Sequence, residues 1–116
     1  MDLGQASLDE ALADRLRGEP EDVAAFTREV VTGTAEHREE IDARLAALSP
    51  AWKLGRMASV DRNVLRMAAY ELMFTPQTPT EVVIDEAVEL AKTYSTAESG
   101  RFVNGILASL AREVRP

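Results

Sequence analysis

The residues that could do chemistry are few and scattered. Asp85 and Glu89 stand four apart, the interval that puts two carboxylates on one helical face, as a metal or acid–base pair would need. They oppose the apolar positions of their own segment, which predicts a solvated surface. His37 is the single histidine. It lies on an apolar stripe with no nucleophile motif beside it, so it is expected as a hydrogen-bonded residue of the core or its rim. The stretch Gly100-Arg101-Phe102-Val103-Asn104-Gly105 has glycines but lacks the lysine and hydroxyl that a phosphate loop requires. There is no cysteine, which excludes thiolate zinc sites, thiol nucleophiles and disulfides. No enzyme activity, metal or cofactor is expected, and binding is what remains.

Two places could bind. Arg62 and Arg66 are four apart and share a helical face with Tyr70 or its neighbours, while Arg101-Phe102 pairs a cation with an aromatic ring. An arginine beside an aromatic offers both a phosphate contact and a stacking plane, and helix N-termini offer free amides to anions. Phe102 is also in register with Ile106 and Leu110, the pattern of a core residue. Charge narrows the options. The chain of 116 residues carries a net charge of −7. Residues 1–50 hold twelve acids against five arginines, and residues 51–116 balance at eight of each. Phosphate is repelled by such a chain except at a local basic face, which would have to lie in the second half. Eleven of the thirteen basic residues are arginine, which fits planar, bidentate recognition and equally fits genomic base composition.

The elements that must carry these residues are read from apolar period and punctuation. Ser7-Leu8-Asp9-Glu10 is a capping box that starts a helix over 8–17, stopped by Gly18. Val23, Phe26, Val30, Thr34, His37, Ile41, Leu45 and Leu48 form one stripe of a long helix ending at Ser49-Pro50. Gly33 beside it either kinks the helix or admits a close neighbour. Trp52 to Met57 reads as a joint. Ser59 caps a central helix over 60–74 whose apolar residues occupy more than one face. Thr78-Pro79-Thr80-Glu81 opens a helix over 79–94 with Thr78 as cap and proline at the first helical position. Its stripe runs Val83, Ala87, Leu90, Ala91, Tyr94. Ser95 and Glu98 form a further capping box before a last helix with Phe102, Val103, Ile106, Leu107, Leu110 and Val114 on its apolar side. Within it, Asn104-Gly105 predicts a tight helix crossing. Nothing alternates with period two, so one all-α domain over 1–116 is expected, a bundle of five or six helices in two packed sub-bundles joined at Thr75–Pro79. No apolar run reaches the ~18 residues of a membrane span and no signal core opens the chain, so a cytoplasmic protein is expected.

Three ordered blocks carry a resemblance: Asp61-Arg62-Asn63-Val64-Leu65-Arg66-Met67-Ala68-Ala69-Tyr70-Glu71-Leu72, then Val83-Ile84-Asp85-Glu86-Ala87-Val88-Glu89-Leu90-Ala91-Lys92, then Phe102-Val103-Asn104-Gly105-Ile106-Leu107. With their spacing, residues 20–112 closely resemble the NusB family of bacterial transcription antitermination factors, and Asp2 to Arg17 is similar to the family's second helical segment. The resemblance implies two packed helical sub-bundles. It also implies pairing with the small-subunit ribosomal protein that doubles as NusE, joint binding of boxA RNA, and read-through by RNA polymerase in ribosomal RNA operons. By position it implies that Asp61, with Arg62 and Glu71, faces the protein partner. Glu98, Arg101 and Phe102 fall near the RNA, with Arg101 on phosphate and Phe102 stacking on or supporting a base.

The family begins with an arginine-rich first helix, and this chain starts about where that helix ends. Weak RNA affinity and lowered stability are therefore expected. So is an uncovered apolar groove inviting a partner helix or a homodimer. A NusB-like interaction module, as found ahead of some RNA cytosine methyltransferases, is the alternative expectation.

Overall fold

The computed structural model describes residues 21–53 and 57–116; for 21–24 and Lys53 the backbone alone is described. The expected capping box at Ser7–Glu10, the helix over 8–17 and its stop at Gly18 lie outside the described residues. Six helices follow in order: α1 Glu21–Glu36, α2 Arg38–Leu48, α3 Pro50–Lys53, α4 Ser59–Phe74, α5 Thr80–Tyr94 and α6 Ala97–Val114. There is no strand among the described residues, so the fold is all-α as the sequence implied.

The α4 helix is central because its apolar residues leave no dry face unused. Val64, Leu65, Ala68, Ala69 and Leu72 are all buried, and α4 packs against α1 and α2 on one side and α5 and α6 on the other. The α5–α6 hairpin contributes Val83, Ala87, Leu90 and Ala91 from one helix and Val103, Ile106, Leu107 and Leu110 from the next. On the opposite side Val30, Ile41, Leu45 and Trp52 close the core. Two sub-bundles thus share one helix.

The long stripe from Val23 to Leu48 is interrupted once, at His37, where φ −106° and ψ 19° leave helical geometry. The ladder nearly bridges the break, since the His37 amide donates to the Gly33 carbonyl at 2.9 Å and the Ile41 amide to the His37 carbonyl at 3.0 Å. One turn earlier the Thr34 hydroxyl donates to the Val30 carbonyl at 2.6 Å, a back-bond that bends helices. Gly33 itself admits a neighbour: a Cβ there would collide with the ring of Tyr70 from α4. The predicted crossing at Gly105 is absent among the described residues, where a Cβ at Gly105 would meet no atom within 4 Å.

Three caps shift from their expected residues. The α4 N-cap is Ala58 rather than Ser59, and the α5 N-cap is Pro79 rather than Thr78, neither with a side-chain bond. At α6 the cap is Thr96, whose hydroxyl accepts from the Ser99 amide at 3.1 Å. Ser95 cannot serve there because its amide closes α5 on the Ala91 carbonyl. The short helix α3, Pro50–Lys53, takes in the start of the joint expected from Trp52 to Met57.

Candidate interaction surface

The first turns of α6 turn Glu98, Arg101 and Phe102 outward; all three are exposed, Phe102 to 37%. Their spacing of three and four sets them on one helical face. The core stripe of α6 begins at Val103, fully buried, so the ring of Phe102 is rotated off the apolar side with which its register agreed.

That turn is fixed from below. Ser99 is buried, and its hydroxyl donates to Oδ2 of Asp61 on α4 at 2.8 Å. The Ser95 and Thr96 hydroxyls lie 3.0 Å from the same Ser99 oxygen. Asp61 is 6% exposed, and its Oδ1 has no hydrogen-bond partner among the described residues. The expectation of an outward carboxylate at 61 is therefore corrected: it is an internal tie that joins α4 to the first turn of α6. Ser99 was not anticipated. The Ser-Thr-x-x-Ser pattern at 95–99 signals a cap, but nothing local points to a carboxylate 38 residues away.

The arginines of α4 also face inward. Arg66 places Nε and Nη2 on the two oxygens of Asp42 at 2.8 and 3.1 Å, and its Nη1 on Asn63 at 3.2 Å. A bidentate ion pair of this kind fixes α2 to α4 and leaves no fork for phosphate. Arg62 lies over the Trp52 ring, 4.3 Å from the centroid, and donates to the Trp52 carbonyl at 3.3 Å. Half-buried and stacked, it braces α3. Tyr70 is buried against Gly33 and stacks on Phe74 with centroids 5.3 Å apart. Of the expected binding face, Arg66 and Tyr70 are thus interior and Arg62 is half-buried.

Glu71 borders a groove of about 290 Å³ whose apolar wall includes Phe26, Val30, Met67, Val82 and Leu90, with Glu86 on its edge. Burial raises the Glu71 carboxyl from 4.5 to about 7; Glu86 adds to the rise and Arg115 opposes it. Behind Glu71, the guanidinium of Arg115 donates to the carbonyls of Glu71, Leu72, Thr75 and Thr78 and to the Thr80 hydroxyl. These bonds seal the carboxyl end of α4 to the loop at 75–79. An arginine next to the last residue gives no hint of such a role in sequence.

The remaining candidates for chemistry are dispersed. Asp85 and Glu89 are exposed, as expected of a solvated face. His37 stacks on Phe74 with centroids 4.2 Å apart and lies 3.7 Å from Glu40, a rim residue. No group of three His, Cys, Asp or Glu among the described residues could hold a metal. Among them too, no helix is long and apolar enough to cross a membrane.

The arrangement offers an exposed surface on the first turns of α6. A model of the NusB family matches residues 1–112. The transcription antitermination protein NusB of Symbiobacterium thermophilum is 44% identical, over 99% of this chain and 82% of that protein. That of Lysinibacillus sphaericus is 42% identical, over 97% and 87% respectively. Against the longer NusB of Heliobacterium modesticaldum the identity is 50%, with 84% of this chain and 48% of that protein aligned. Among solved structures, T. maritima NusB superposes with a TM-score of 0.79 at 42% identity, covering 100% of this chain and 79% of that one.

Proposed function

The chain belongs to the NusB family, and on that premise we propose that it acts in transcription antitermination by pairing with a NusE-type ribosomal protein and binding boxA RNA. The observation that carries this reading is the outward set Glu98, Arg101 and Phe102 on the rigid first turns of α6. Arg101 supplies a phosphate contact and Phe102 a stacking plane. Glu98 keeps the site from being a uniform cationic patch, so base and sugar contacts contribute to selectivity. For the protein partner, Glu71 at the rim of the groove and Arg62, both half-buried, are the reachable members of the trio, while Asp61 acts from inside by holding α4 against its neighbours.

The test is a titration of boxA RNA with the chain alone, with the NusE-type protein, and with both after Arg101→Ala, over a salt series. Partner-dependent binding whose salt slope is shallower by about 0.7 in the mutant, the value for one phosphate contact on a single strand, supports the reading. Failure to form a ternary complex at low salt overturns it.

The groove favours a second reading, a dimerisation or interaction module with weak RNA binding of its own. Val82 at its mouth is 55% exposed, and apolar surface of this kind marks contacts with other proteins. Sedimentation that shows a dimer dissociated by Val82→Glu would favour it.

A further inference from the structure

The large hydrophobics exposed among the described residues are Val82, Tyr94 and Phe102, and two of these three flank the joint between α5 and α6. Tyr94 ends α5 with 43% of its surface in solvent, although its place in the stripe Val83, Ala87, Leu90, Ala91 predicted burial. Beside it, Lys92 does not simply extend into water. A Cβ built at Gly100 would lie 2.6 Å from Lys92 Cγ and 3.0 Å from its Cδ. The lysine stem therefore crosses from α5 onto α6 through the space that glycine leaves. This crossing lies one residue before Arg101, while Lys92 itself remains exposed. Basic and aromatic residues thus alternate across the joint, Lys92 and Tyr94 from one helix, Arg101 and Phe102 from the other. On a chain of net charge −7, such a cluster is where a polyanion meets least repulsion.

We propose that the RNA surface extends across the joint onto α5, with Lys92 as a second phosphate contact set beside Arg101 by Gly100, and Tyr94 as a second base-stacking ring. The inference rests on the RNA reading above and adds residues to it. Every base has a π-face, so a short unpaired run can use two rings without sequence matching at either. Two cations, one whose stem packs at Gly100 and one on the next residue, offer neighbouring contacts to successive phosphates of a single strand.

The experiment uses the full chain with the NusE-type protein and a single-stranded boxA oligonucleotide, and compares Lys92→Gln, Tyr94→Ala and Arg101→Ala in parallel. Lys92→Gln is expected to make the salt slope shallower by about 0.7, the value for one phosphate contact on a single strand. Tyr94→Ala is expected to weaken binding about tenfold with the slope unchanged. Gly100→Ala, which forces the lysine stem aside, should reproduce the Lys92→Gln slope while Lys92 is still present. A changed slope for Arg101→Ala with no change for Lys92→Gln overturns the extension and leaves the RNA reading standing. No change in any variant overturns both. If Tyr94→Ala or Lys92→Gln weakens binding of the protein partner in the absence of RNA, this face belongs to the protein and the extension is wrong.

Discussion

The hydroxyl of Ser99 donates to the carboxylate of Asp61 at 2.8 Å, across 38 residues of chain, and thereby fixes the first turn of α6 on the first turn of α4. Both side chains are buried, and the second carboxylate oxygen has no partner among the described residues. The bond therefore supports an otherwise costly group, and it lies directly beneath the outward set at 98, 101 and 102.

Ser99→Ala should be expensive for its size. It removes the hydroxyl that donates to a buried carboxylate as well as a hydroxyl from the cap, and leaving such a group unsatisfied costs about 1–3 kcal/mol. Thermal unfolding is expected to show a lowered Tm, with Asp61→Asn milder because an amide oxygen still accepts. If Ser99→Ala unfolds like the unsubstituted chain, the tie carries no stability and Asp61 must be free to serve some other contact.

Two helical glycines should respond with opposite signs. At Gly33 a methyl group runs into the Tyr70 ring, held by its own stack on Phe74, so Gly33→Ala should destabilise by about 1–3 kcal/mol through overpacking. At Gly105 the methyl group meets nothing, and Gly105→Ala should stabilise by about 0.5–1 kcal/mol by restricting the unfolded chain and favouring helix. Denaturant titration of each, and of Gly33→Ala combined with Tyr70→Ala, would check this. The double variant should be less unstable than the sum of its parts, because the collision is shared.

These glycines also show how far the sequence could be read. Period and punctuation are local, so α4, α5 and α6, the central place of α4 and the carriage of Arg101 and Phe102 on the first turns of α6 were legible, whereas the break at His37 and the short helix α3 were not. Which glycine faces a neighbour is decided by the crossing of two helices distant in sequence: Gly33, where a kink and a close neighbour were equally open, admits Tyr70, whereas Gly105, where a tight crossing was expected, meets no described residue. The same limit governs charge. Arg66 and Asp61 look like surface residues on a polar heptad, yet each is drawn inward by a partner on another helix, Asp42 and Ser99 respectively. Exposure of Phe102 and Tyr94 depends on a rotation of less than one residue about the helix axis, finer than an apolar stripe can specify.

Arg115 is expected to be irreplaceable by lysine. Its planar fork donates to four carbonyls and one hydroxyl around the end of α4 and the loop at 75–79, a geometry that an ammonium group cannot span. Arg115→Lys should therefore fall close to Arg115→Ala, each losing about 2 kcal/mol or more through buried acceptors left unpaired. Hydrogen exchange should locate the loss at residues 71–80. A lysine variant with undisturbed protection there would mean that charge alone, through its attraction to Glu71, does the work.

Glu71 should make stability fall as pH rises. In the folded chain its carboxyl is raised to about 7 by burial and by Glu86, against 4.5 when unperturbed. The folded state therefore holds this proton more tightly than the unfolded state does. Between those two values the unfolded chain has released the proton and the folded chain has kept it, so raising the pH through this window draws the equilibrium toward unfolding. Arg115 on the same carboxyl moderates the effect without reversing it. Urea midpoints are expected to be higher at about pH 5 than at about pH 8, and Glu71→Gln, neutral throughout, should flatten most of that difference. Contributions from all other groups are common to both proteins. The informative quantity is thus the difference between the two pH profiles. A Glu71→Gln profile parallel to that of the unsubstituted chain would show that water in the groove already solvates the Glu71 carboxylate, and would remove the reason for regarding the groove as a dry, partner-ready surface.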